Sequence, residues 1–237
     1  MKTIVHKAES RGFADHGWLR SRHTFSFAGY HNPERVHFGA LRVLNDDQVA
    51  AGKGFGTHPH DNMEIVSIPL YGDLAHKDST GNEKVIKSGD VQIMSAGSGL
   101  RHSEYNHSQE DEVQFLQIWV FPKERDIEPR YEQKTFSAED RVNKFQTVVS
   151  PEETSAVWIN QDAFFSLANL DAGTELTYEV KKPGNGVYFF VLNGELSIAG
   201  EKLDTRDAVG VSDTESAHLK ASSYAEVLAI EVPMALN

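Results

Sequence analysis

The sequence predicts an all-β chain built as two tandem jelly-roll barrels. Three observations carry this. Short apolar runs are broken at close intervals by Gly, Asn and Asp, long helical periodicity is scarce, and a faint internal repeat spans nearly half of the 237 residues.

Taken in order, Glu64 to Leu70 reads as a strand closed by the turn Tyr71-Gly72-Asp73. Leu74 to Ser79 follows, then the turn Thr80-Gly81-Asn82. Glu83 to Lys87 and Val91 to Ser95 continue the pattern around Ser88-Gly89-Asp90. Val113 to Phe121 is apolar on both faces, as a strand sandwiched inside a core would be. Val187 to Leu192 and Glu195 to Ala199 flank Asn193-Gly194, the dipeptide of a tight type I′ hairpin with positive φ at both turn residues. Ala225 to Val232 reads as the last strand.

The repeat sets Ala51-Gly52 against Ala172-Gly173, and Tyr71-Gly72-Asp73-Leu74 against Asn193-Gly194-Glu195-Leu196. The expected domains are residues 1–130 and 131–237, with Pro122 to about Ser150 wrapping the surface between the two repeats. Ten of the eleven histidines fall in the first copy and only His218 in the second. Alignment places Glu179 opposite His58, Lys181 opposite His60 and Ala221 opposite Glu104. One site is therefore expected, in the N-terminal barrel.

Composition narrows the function classes. A net charge of −12 and the lack of any Lys/Arg run argue against a nucleic-acid partner. With no cysteine there is neither a disulfide nor a thiolate ligand or nucleophile. No apolar run reaches membrane-spanning length, and Met1 to Ser10 lacks the apolar core of a signal peptide. A cytoplasmic monomer without a membrane or nucleic-acid partner is expected.

The chemistry concentrates in two short patterns. In Thr57-His58-Pro59-His60 the two histidines are two apart, so on a strand they share a face with Cα atoms roughly 6.5 Å apart. Pro59 has no N–H to donate, which places it at a strand edge or start. His102-Ser103-Glu104 repeats the spacing after the glycine-rich Ala96-Gly97-Ser98-Gly99. Two such pairs on facing strands would give three imidazoles and one carboxylate around a single ion. Fe, Ni, Co, Mn, Cu and Zn all suit that donor set. Glu64 reads as a further ligand or as a carboxylate holding a ligand histidine's second N–H. His23, His31, His37, His76 and His107 read as ordinary loop or surface residues. Phe25, Phe27, Phe55 and Met63 are candidates for an apolar mouth, with core packing the commoner role for each.

These residues also carry a resemblance. Gly52, five residues, His58-Pro59-His60, Glu64 and Gly72 resemble the first cupin motif, and Gly89, Gly97, His102 and Asn106 resemble the second. Gly17-Trp18-Leu19, His23-Thr24-Phe25-Ser26-Phe27, Leu41 through Asp47, Gly54 through His60 and Met94 through Glu104 are similar to the pirin family, and within it to bacterial pirins that act as quercetin 2,3-dioxygenases. The likeness continues through Pro129-Arg130-Tyr131-Glu132-Gln133. It is close over the first half and present in outline over the second. It implies a bicupin fold with one divalent transition metal in the N-terminal barrel, held at the positions of His58, His60, His102 and Glu104. The implied reaction takes a flavonol and O2 to a depside and carbon monoxide, with Glu104 receiving the flavonol hydroxyl proton. A non-catalytic, metal-dependent regulatory binding protein is the competing reading, as is a cupin enzyme acting on another enol.

Overall fold

A computed structural model describes residues 1–152 and 155–236. Among these the chain is almost wholly β. Two short 3₁₀ turns, Ala8–Ser10 and Ala138–Arg141, are the exceptions.

Each half pairs a seven-stranded sheet with a four-stranded one. The first large sheet runs Arg130–Thr135, Asp90–Ser95, Glu64–Tyr71, Val113–Val120, Leu41–Val49, Leu19–His23, Gly12–Asp15, and its small sheet runs Gly54–His60, Leu100–Asn106, Leu74–Asp78, Glu83–Ile86. The second large sheet runs Lys2–His6, Ala208–Ser212, Asn185–Asn193, Ala225–Pro233, Phe164–Leu170, Gln146–Ser150, Val157–Trp158. Its small sheet runs Glu175–Glu179, Ser216–Ala221, Leu196–Ile198, Glu201–Leu203. In both halves the chain passes between large and small sheet in the same order, which is the jelly-roll pattern expected from the repeat.

The repeated Gly72 and Gly194 mark where that passage happens. Asn185–Asn193 pairs with Ala208–Ser212 and Ala225–Pro233, whereas Leu196–Ile198 pairs with Glu201–Leu203 and Ser216–Ala221. The expected hairpin at Asn193-Gly194 is therefore a corner between two sheets. Only Gly194 has positive φ, at 84°, so the turn is not type I′. A Cβ at Gly194 would lie 2.0 Å from the Tyr224 carbonyl oxygen, and this close approach is why glycine stands there.

The two large sheets pack back to back. Val66, Ile68, Leu116 and Ile118 of the first share one buried core with Phe165, Tyr188, Phe190, Leu228 and Ile230 of the second. A strand such as Val113–Val120 thus has this core on one face and its own sheet sandwich on the other, as its two-sided apolar character suggests. Two strands join the halves further. Lys2–His6 completes the second large sheet against Ala208–Ser212, and Arg130–Thr135 completes the first against Asp90–Ser95.

Inside the second half the small sheet turns Tyr178, Leu196, Ile198, Ala217, Leu219 and Ala221 into an apolar core. The matching space of the first half holds a smaller apolar cluster, including Leu74, Ile86 and Phe115, with His76, His102 and Glu104 buried as well.

Candidate metal centre and adjoining cavity

Gly54–His60 is the edge of its small sheet, consistent with Pro59, and its neighbour Leu100–Asn106 sets His102 directly across from His58. The register then slips between His102 and Glu104, so Glu104 faces Phe55. A Cβ at Gly54 would sit 2.2 Å from the Glu104 carbonyl oxygen, so glycine there lets the two strands close around the bulge. Strict alternation turns Leu100, His102, Glu104 and Asn106 inward along the other strand.

Three imidazoles converge. Ring centroids lie 4.8 Å apart for His58 and His60, 4.5 Å for His58 and His102, and 4.9 Å for His60 and His102. Each offers a ring nitrogen within 4.8 Å of the others. The His58 Nδ1 lies 2.8 Å from the Gly56 carbonyl oxygen. A carbonyl can only accept, so that nitrogen carries the proton and Nε2 presents its lone pair. His102 is 1% exposed, and among the described residues neither of its ring nitrogens has a partner. Burial, reinforced by His58, His60 and His76, pushes its pKa down to about 2, and burial with the neighbouring His58 takes His60 to about 4. Metal ligation requires neutral imidazole, and this pocket supplies it. The orphaned nitrogens of His102 and the all-imidazole facing set fit a divalent transition metal.

Glu104 groups with His102 and His76, again within 4.8 Å. The Ser67 hydroxyl donates to its Oε1 at 3.1 Å and the Gln117 side-chain amide to its Oε2 at 2.7 Å. Burial raises its pKa to about 7, against the pull of those two donors. Ser67 Oγ also lies 2.9 Å from Gln117 Oε1. Its single proton can therefore serve either Glu104 or Gln117, and the trio accommodates an ionised or a protonated carboxyl.

Beside this cluster lies a cavity of about 470 Å³, walled by Trp18, Leu19, Phe27, Phe55 and Trp119 and reached by His58, His60 and Glu104. Trp18 meets Phe55 edge-on at 5.3 Å, Phe27 meets Trp119 at 5.4 Å, and Trp119 meets His60 at 5.0 Å. The volume falls within the range of about 300–1,000 Å³ usual for small-molecule sites.

Several sequence readings need correcting. Glu64 is not at the histidine cluster. Its strand turns Ile65 and Ser67 toward the sandwich interior and Glu64 away from it, where Oε2 accepts from Ser95 Oγ at 2.8 Å and from the Asn160 backbone N–H at 3.1 Å. His76 and His23 are 2% and 3% exposed, not surface residues. Leu74, His76 and Asp78 alternate inward, and His76 Nε2 bonds Asp78 at 3.1 Å. Phe27 and Phe55 do line the cavity. Phe25 instead belongs to the central core, and Met63 packs beside Ile65, Met94 and Leu100. Ser67, Gln117, Asn45 and Asp47 also belong to the site, although none of them stands in a ligand-spaced motif. The signal was there in the polar breaks within apolar strands, as at Gln117 in Val113–Val120.

Comparison with known proteins agrees with this architecture. Residues 5–120 match the family described as Pirin, and residues 147–232 match the one described as Quercetinase C-terminal cupin domain. A protein named quercetin 2,3-dioxygenase from Escherichia coli K12 is 42% identical over 230 residues, covering 97% of this chain and 98% of its own. A pirin-like protein from Caulobacter vibrioides is 40% identical, covering 93% of this chain and 95% of its own. The crystal structure of bacterial pirin YhhW from Escherichia coli in complex with nickel(II) superposes with a TM-score of 0.93 at 40% identity, covering 99% of this chain and all of that one.

Proposed function

The chain belongs to the pirin family, and from that premise we propose that it is a metal-dependent quercetin 2,3-dioxygenase, cleaving a flavonol with O2 to a depside and carbon monoxide. The observation that carries the reading is the convergence of His58, His60 and His102 beside an aromatic cavity that Glu104 also lines.

His58, His60, His102 and Glu104 would hold the ion. Bound there, a divalent transition metal would supply Lewis acidity that makes the flavonol 3-hydroxyl easier to ionise. The protein supplies the rest. Trp18, Phe55, Phe27 and Trp119 offer flat walls to a planar substrate and exclude water around it. Glu104 takes the hydroxyl proton. Gln117 and Ser67 hold the carboxyl in place in either protonation state.

The N-terminal half, about residues 1–130, carries the chemistry, and the C-terminal half, 131–237, supports it. Lys2–His6 and Arg130–Thr135 each pair across that division. Among the described residues no helix is long and apolar enough to cross a membrane. The protein acts as a cytoplasmic monomer.

Glu104→Gln tests the role of the carboxyl. It keeps the shape and some metal, and turnover should fall on the order of 100-fold or more. Turnover unchanged at equal metal content would remove Glu104 as the proton acceptor.

A further inference from the structure

A row of polar side chains crosses the inner face of the first large sheet. Strand register sets His23 opposite Asn45, Asn45 opposite Gln117, Gln117 opposite Ser67, and Ser67 opposite Gln92. One step along the strands, Ser21 lies opposite Asp47, and Asp47 opposite Phe115. Glu104 occupies Gln117 and Ser67 in the middle of the row. The end formed by Ser21, His23, Asn45 and Asp47 lines the aromatic cavity and has no part in holding Glu104.

That end is underused. Asn45 is 2% exposed, and among the described residues its Oδ1 has no partner and neither has Nδ1 of the equally buried His23. Asp47 takes the Ser21 hydroxyl on one oxygen, with no other partner for its carboxyl among the described residues. The adjacent Asp46 points to the opposite face and is fully engaged, accepting from Gln114 at 2.8 Å and from Arg206 at 3.0 Å. Buried polar groups without partners are costly, and a cavity keeps them where a ligand supplies the missing bonds.

Building on the dioxygenase reading, we propose that Asn45 and Asp47 are specificity-determining residues that hydrogen-bond ring hydroxyls of the substrate, so that the cavity selects a polyhydroxylated flavonol over one bearing only the reacting enol. An amide offers both donor and acceptor and a carboxyl accepts, which together match a phenolic hydroxyl. Trp18, Phe27 and Phe55 contact the ring faces and leave its hydroxylated edge to this polar end. A site built around hydrogen bonds to a hydroxyl rejects the analogue that lacks it, because its own buried groups then stay unpaired.

The test compares quercetin with 3-hydroxyflavone on full-length, metal-loaded protein. Two readouts are taken: kcat/KM in air, and equilibrium binding without O2, followed by quenching of tryptophan fluorescence. Wild type should favour quercetin in both. Asp47→Leu and Asn45→Leu should each lower kcat/KM and affinity for quercetin by about 10- to 100-fold while leaving 3-hydroxyflavone within about threefold. Asp47→Leu keeps the branched shape and removes a buried carboxyl whose one partner is Ser21, so it remains informative if Asn45→Leu fails to fold. Equal losses on both substrates, or an unchanged preference, would overturn the proposal. Preferential binding of quercetin without turnover of either compound would uphold the recognition site and overturn the dioxygenase reading. Turnover without discrimination would do the reverse, and absence of both binding and turnover would overturn the two together.

Discussion

His102→Leu separates what the metal centre costs the fold from what it does when loaded. In the metal-free protein His102 is 1% exposed, and both ring nitrogens lack partners among the described residues. A buried polar atom left unsatisfied costs about 1–3 kcal/mol. Leucine approximates the volume and brings no polar atom, so chelated His102→Leu should be more stable than chelated wild type by about 2 kcal/mol. For a chain of this size 1 kcal/mol moves Tm by about 2–4 °C, so the rise should be about 4–8 °C. Metal reverses the order. At a free concentration of about 1,000 Kd, binding stabilises wild type by about 4 kcal/mol, or about 8–16 °C, and the variant with its ligand set broken should gain little. Thermal unfolding by calorimetry, with chelator and then with each metal, reads both. A chelated variant that melts below chelated wild type would show His102 to be a satisfied packing residue. Equal metal-induced shifts in the two proteins would remove it from the ligand set.

Other expectations follow from the same contacts. Gln117→Leu removes the 2.7 Å donor to Glu104. A hydrogen bond to a charged group contributes about 1.5–3 kcal/mol, so kcat/KM should fall about 10- to 150-fold with metal content per chain unchanged, as elemental analysis would show. Burial raises Glu64 to about 7 from an ordinary 4.5. A carboxyl raised on folding destabilises fully above its folded pKa and not at all below its unfolded one. Glu64→Gln should therefore gain on the order of 3 kcal/mol more relative to wild type at pH 8 than at pH 4, measured by denaturant unfolding. Deleting residues 1–7 removes the strand on Ala208–Ser212, the His6 partner of the buried Tyr188 hydroxyl and the Lys7 partner of Asp207. It should cost on the order of 4 kcal/mol. Hydrogen exchange should show protection lost in Asn185–Asn193 and Ala208–Ser212 and kept in Leu100–Asn106; uniform loss would mean that the two halves unfold as one.

What the sequence made legible depended on range. The two-residue spacing of His58 and His60, and of His102 and Glu104, is local, and the alternation of a strand turned it into a shared face as expected. Pro59 marked an edge for the equally local reason that it lacks an N–H. What escaped reading depended on which strand lies beside which. Asn193-Gly194 looks like a hairpin in sequence, yet its two strands pair with different partners in different sheets. Glu64 is four residues from His60, but one corner and the parity of its strand send it to the other face. The buried places of His23 and His76, and the polar row through Asn45, Gln117 and Ser67, follow from cross-strand register, which no single stretch of chain encodes.

We propose that the three imidazoles and Glu104 hold a metal on which flavonol cleavage depends. The most direct measurement loads the protein anaerobically with Fe, Ni, Co, Mn, Cu or Zn in turn, adds quercetin and O2, and follows loss of flavonol absorbance together with release of carbon monoxide. Carbon monoxide released in step with flavonol loss by at least one metal form, and abolished in His58→Ala, is the predicted result. Tight metal binding with no carbon monoxide from any form would contradict it.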